Sequence, residues 1–190
     1  MPKLWNATIE THRAAVRDAI LDATLALVAE RGLRAVTMTD IAARAGIGRA
    51  TLYKYFADAD AILRAWHERE IGRHLAEVAT IVGGPGDPAA RLAAVLERYA
   101  LSAHARRGGH DSELAVLLHR DEQVIAARHR LRQVVARLIA EAAGRGAVRD
   151  DVSPEELAAY ALAALSATSG LSSEAAVRRL LRVILAGLRP

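Results

Sequence analysis

Cysteine is absent from this 190-residue chain. Disulfides and thiolate chemistry are thereby excluded. Aromatic residues make up only 4%, with a single phenylalanine. A pocket built mainly on aromatic stacking is therefore not expected, and an aliphatic one is. No apolar run approaches the roughly 18 residues of a membrane span. The opening stretch MPKLWNATIE lacks the apolar core and small-residue cleavage site of a secretion signal. A cytoplasmic protein with no membrane partner is the expectation. Valine and isoleucine never alternate in a sustained run bounded by turn residues, so no strand is predicted. Without strands, no GxSxG elbow, Walker loop or GxGxxG has its setting. No catalytic residue, metal site or cofactor is implied.

Apolar residues are abundant instead, at 52%, enough for a sizeable core. The net charge is +4 and unevenly placed. Residues 1–56 hold eight Lys/Arg against five Asp/Glu, whereas residues 57–190 hold eighteen against seventeen. A localised basic region is an electrostatic footprint for nucleic acid.

Alanine, leucine, arginine and glutamate dominate, all strong helix formers, and the fold is expected to be all-α. Val16, Ile20, Thr24, Leu27 and Val28 recur at helical spacing, which predicts a first helix over 14–31 ended by Gly32. Thr37 and Asp40 have capping-box spacing and open a second helix that buries Ile41 and Ala42. A third runs from about Gly48 to Phe56. A longer one covers 58–82, with a stripe of Leu63, Ile71, Leu75, Val78 and Val82. GGPGDP at 83–88 follows a helix and lacks GK[ST], so it is a linker rather than a phosphate cradle. Helices are predicted at 88–106, 111–119, 121–143, 153–169 and 173–188, with Ser153 and Pro154 as a favourable start. Nine helices result. Three form a head (1–57) and six a body (58–190).

TMTDIAARAGIGRATLYKYF, residues 37–56, is the most informative stretch. It reads as two short helices joined by a tight turn at Gly46, the layout that places a helix in a DNA major groove. Arg49 can pair with guanine and Thr51 can reach a base or phosphate. Tyr53 can bond a phosphate, and Lys54 and Tyr55 project farther along. Gly48 and Ala50 lie at the leading end, where free backbone N–H groups suit a phosphate. Thr37 and Thr39 open the bracing helix. Leu52 and Phe56, four apart, point back into the head.

The stretch resembles the TetR family of one-component transcriptional repressors. The resemblance rests on Thr37, Ile41-Ala42, Ala45-Gly46, Thr51-Leu52-Tyr53 and Tyr55-Phe56, followed by Asp60, Ile62 and Leu63. It is close over residues 16–65. Two positions depart from the pattern: Gly48 replaces a serine and Ala59 a lysine, each removing a phosphate contact. The resemblance implies a homodimer on double-stranded, palindromic operator DNA, released by a small-molecule effector. It also implies dimerisation through the last two helices, with Tyr160, Leu165, Val177, Leu181, Ile184 and Leu185 in the interface. Glutamate at Leu181 or Leu185 is then expected to give monomers. An effector pocket in the body is expected to involve Trp66, Tyr99, His104, His119 and Tyr160.

Other readings are weaker. His67 and His74 lie seven apart on one helix, without the spacing of a metalloprotease motif. A small all-α enzyme has no motif behind it. A helical interaction module would leave the basic head unexplained.

Overall fold

The computed structural model describes residues 2–32, 35–105 and 122–190, with side chains from residue 8 onward. Among these residues every regular element is helical. They are α1 (Pro2–Arg31), α2 (Met38–Arg44), α3 (Arg49–Tyr55), α4 (Ala59–Gly83) and α5 (Pro88–Ala105). Then come α6 (Glu122–Ala143), α7 (Pro154–Ser166), a 3-10 turn (Ala167–Gly170) and α8 (Glu174–Gly187). The short helix expected at 111–119, with His110 and His119, lies outside the described residues. None of the described helices is long and apolar enough to cross a membrane. The chain divides into two compact units between Glu70 and Ile71, inside α4.

The first unit takes in the early turns of α4, beyond the expected boundary at 57/58. Ile62 and Ala65 explain why: they are buried with Ile20, Leu21, Leu27, Ile41, Ala42, Leu52 and Phe56. α1 starts at Pro2 rather than near residue 14. The stretch 8–15 is exposed throughout and carries no apolar stripe, so periodicity could not reveal it. The helix ends where Gly32 takes a φ of 81°. Thr24 is buried in mid-helix, where its hydroxyl donates to the Ile20 carbonyl at 2.8 Å. α2 opens with the expected capping box. The Asp40 N–H donates to Thr37 Oγ1 at 3.2 Å, and the Thr37 N–H donates to Asp40 Oδ2 at 3.2 Å. Asp58 caps α4 in a related way, accepting from the Ala61 N–H at 2.7 Å.

The second unit is organised around α5. Leu92, Val95, Leu96 and Ala100 are sealed among Val135, Leu138 and Ile139 of α6, Ala158, Ala161 and Leu165 of α7, and Val177 and Ile184 of α8. Ser153 and Glu156 form a second capping box, with Pro154 in the first turn. This packing corrects the interface assignment. Leu165, Val177, Leu181 and Ile184 are at most 6% exposed and belong to the subunit's own core. Leu165, Val177 and Ile184 are spent within the subunit, and Leu181 shows only an edge, in a groove it lines with Leu185 and Arg178. Tyr160, at 48%, and the half-buried Leu185 retain surface for a partner.

Several carboxylates are drawn below their ordinary range. Asp40 is held down chiefly by the Thr37 hydroxyl, Glu30 by the Arg44 guanidinium, Asp151 by Arg149 and Glu156 by the Ser153 hydroxyl. A folded-state value below the unfolded one adds stability above the ordinary carboxylate range. That stability is lost as pH falls through the lowered values. Urea midpoints should therefore be level down to about pH 5 and drop below about pH 4. A midpoint unchanged at about pH 3 would contradict this.

Candidate nucleic-acid interface

The turn between α2 and α3 is set by one left-handed residue. Gly46 has φ 68°, a region that side-chain-bearing residues rarely enter. The Ile47 N–H reaches back to the Ala42 carbonyl at 3.0 Å, and the Gly46 N–H to Ala43 at 3.2 Å. These bonds satisfy the last carbonyls of α2 and reverse the chain within two residues. Gly48 then takes an extended conformation, φ −68° and ψ 145°, and begins α3 with no side-chain cap. Its carbonyl accepts from the Thr51 and Leu52 N–H groups at 2.9 and 3.0 Å.

α3 has an inner and an outer face. Leu52 is fully buried and Phe56 nearly so. Arg49, Ala50, Tyr53 and Lys54 are exposed, and Thr51 is half-buried. Arg49 and Tyr53, one turn apart, form a pair on the outer face. The guanidinium carbon lies 5.6 Å from the ring centroid, and Nη2 donates to the phenol oxygen at 3.4 Å. Such stacking favours one orientation of a long, flexible side chain. Tyr55 departs from the expected DNA-facing set: it packs, half-buried, on the head core. Thr39 and Gly48 are exposed. Thr37 is exposed too, but its hydroxyl is engaged with Asp40.

The charges of the head are sorted by internal pairing. Arg69 of α4 bridges Asp18 and Asp22 of α1 at 3.0 and 2.5 Å. Arg44 holds Glu30 through two bonds of 2.9 and 2.6 Å, and Arg31 reaches Asp40 at 3.4 Å. Four acids of the head are thereby neutralised by arginines. Arg13, Arg17, Arg49 and Lys54 remain exposed and in no described ion pair, and Arg17 lies 5.2 Å over the Phe56 ring. Pairing conserves the net charge, but it leaves these four cations as positive charge that can face an external anion. These long-range pairs left no trace in the sequence pattern. The Arg49–Tyr53 spacing was visible, but its stacking was not.

Gly48 is open to improvement. Its φ is negative, and an added Cβ would meet only Thr51 Oγ1, at 3.8 Å, an ordinary contact. Serine there can cap the Thr51 N–H. Gly48→Ser should raise stability by about a few tenths of a kcal/mol. It should also tighten DNA binding a few-fold through one added phosphate contact, read by thermal melting and fluorescence anisotropy. Weaker binding by the serine variant would contradict this placement of the α3 leading end.

Of the residues expected around an effector, His119 lies outside the described residues, and the others are described within their own units. Trp66 packs on the head core, in a different unit from Tyr99, His104 and Tyr160. Tyr160 is exposed and lies against Gly187, where an added Cβ would come within 3.2 Å of its hydroxyl. Tyr99 packs on the body core. His104 is half-buried, with Nδ1 3.2 Å from the Thr168 carbonyl. A carbonyl only accepts, so Nδ1 carries the proton. Among the described residues no group of three side chains could hold a metal ion.

A helix-turn-helix head followed by a separate helical unit defines a class of DNA-binding architecture. Residues 20–66 match the model of bacterial regulatory proteins of the tetR family, and residues 87–190 match the C-terminal domain of SbtR-like transcriptional regulators. The chain belongs to the TetR family of bacterial regulatory proteins. A TetR/AcrR-family transcriptional regulator from Thermobifida fusca is 25% identical with a TM-score of 0.79, over 92% of this chain and 98% of that one. A TetR transcriptional regulator from Streptomyces coelicolor is 31% identical with a TM-score of 0.64, over 92% and 98%. An HTH-type transcriptional regulator from Mycobacterium tuberculosis is 38% identical over 88 residues, 46% of this chain and 43% of that protein. The matched stretch thus spans less than half the length of the curated relatives.

Proposed function

We propose that this protein is a cytoplasmic, ligand-responsive transcriptional repressor. Two copies grip successive major grooves of a palindromic operator, and a small molecule bound in the body releases them. The observation that carries this reading is the outer face of α3, where Arg49, Tyr53 and Lys54 stand exposed over a buried Leu52 and Phe56. In this reading Arg49 reads guanine, while Tyr53 and Lys54 hold the backbone. The subunits pair through the outward surface of α7 and α8, which includes Tyr160, Leu185 and the 66%-exposed Val183. The effector enters among the body helices near Tyr99 and His104. It acts only through its preference for the conformation that does not bind DNA.

The experiment is a gel shift with DNA flanking the protein's own gene, at increasing salt. A specific band that weakens steeply with salt, and that a cell metabolite extract abolishes, is expected. Only unspecific retention across all fragments would contradict the proposal.

A further inference from the structure

α5 presents two unlike faces. Toward α6, α7 and α8 it offers the sealed aliphatic side chains of the body core. Toward the second half of α4 it offers Arg91, Arg98 and Ser102, on one side of the helix at spacings of seven and four. Their partners descend in register. Ser102 Oγ is 2.7 Å from His74 Nε2. Arg98 Nε donates to Glu77, which Arg73 of the same helix also reaches at 3.5 Å. Arg91 Nη1 donates to the Val82 carbonyl in the last turn of α4 at 2.8 Å, and its Nη2 reaches Glu141 at 3.2 Å. The pairs 74·102, 77·98 and 82·91 form an antiparallel polar ladder.

Apolar packing along the same seam is thin. Of α4 beyond residue 70, only Val78 is buried. Ile81 and Val82 pack partly on the core, and Ile71 and Leu75 stay half-exposed. The two kinds of attachment fail differently. Separating interlocked aliphatic side chains opens a void and forfeits dispersion attraction along the whole seam at once. Ser102 is buried, but Glu77 and Arg98 keep a third of their side-chain surface in water, and polar pairs that water can reach exchange for it at a modest net cost each. A seam held mainly by such pairs opens at a lower free energy than the core beside it.

We propose that His74, Glu77, Arg98 and Ser102 form a releasable latch that fastens α4 beyond residue 70 to α5 and opens as a unit while the core around α5 stays closed. The use of this latch rests on the regulator reading above. α4 is the segment through which the chain passes from the head unit into the body unit. An effector that favours the unlatched form would therefore act on the helix that leads to the DNA-reading head.

Hydrogen–deuterium exchange of the full chain tests the latch without DNA. The proteins are wild type, Ser102→Ala, Glu77→Gln and the double variant. Glu77→Gln is half-exposed and close in shape, so the fold should tolerate it. Amide exchange over residues 71–83 should rise about tenfold in the double variant and less in each single one. Protection over 92–100, 135–139 and 157–165 should stay at the wild-type level. Unchanged exchange over 71–83 would overturn the latch. Equal loss of protection across the whole body would overturn it too, since the pairs would then be general stabilisers. Operator binding is read separately on the same proteins. Wild type that binds no DNA would sink the regulator reading and leave the exchange result standing. Wild type that binds, with exchange unmoved in every variant, would sink the latch alone.

Discussion

Arg49→Ala should remove specific DNA binding and leave the head folded. Arg49 is exposed, and within the subunit its side chain touches the Tyr53 ring and hydroxyl. Surface substitutions of this kind change stability by about 0.5 kcal/mol or less. A bidentate base contact discriminates by about 1–3 kcal/mol. With two heads on one operator the loss is about 2–6 kcal/mol, at least about thirtyfold in affinity. Lys54→Ala should behave differently. Removing one phosphate-binding amine from each head weakens binding to all sequences alike and lowers the salt slope by about one per head. Anisotropy titrations at two salt concentrations separate the two effects, with thermal melting as the control for folding. Full specific affinity in Arg49→Ala would contradict the assignment of α3 as the reading helix.

Leu181→Glu should unfold the body rather than split a dimer. Leu181 is 6% exposed within a core shared with Leu92, Leu96, Leu157 and Ile184. A carboxylate there displaces packed aliphatic surface and gives up most of its hydration, although Arg178 and Arg182 line the same groove. The cost is about 3–5 kcal/mol, a large part of a typical stability of about 5–15 kcal/mol. Val183→Glu is the contrasting variant. That side chain is 66% exposed, so the fold should survive and self-association should weaken. Urea unfolding and light scattering after size exclusion read the pair. A stably folded, monomeric Leu181→Glu protein would return Leu181 to the interface.

The contrast shows where reading a sequence reaches its end. An apolar stripe on a helix states that one face is covered, but not by what. Val177, Leu181 and Ile184 recur at helical spacing whether the cover is α5 or a second subunit. The spacing cannot distinguish them. Trp66 is ambiguous for a similar reason. A lone aromatic on an amphipathic helix suits a pocket or a core equally, and here the head core takes it. The long-range clamps, Arg69 on Asp18 and Asp22 above all, join residues about fifty positions apart. No local pattern encodes such a pairing.

Local chemistry, by contrast, was legible. Thr37–Asp40 and Ser153–Glu156 are both capping boxes because the reciprocal bonds need only a hydroxyl and an acid three residues apart. Gly46 was identifiable because a turn this tight demands a residue free to take positive φ. Leu52 and Phe56 were placed inward by their four-residue spacing, and that inward pair leaves Arg49, Tyr53 and Lys54 outward. The outward face of α3 followed from helical geometry, whereas the cover of the α8 stripe did not.

Chemical footprinting on the DNA beside the protein's own gene tests the central claim most directly. The account predicts two symmetric protected half-sites in the major groove, centred about 10 base pairs or a multiple of that apart. Guanines within them should be shielded by wild type and left open by Arg49→Ala. Uniform, sequence-independent protection, or an identical pattern from the Arg49→Ala protein, would contradict it.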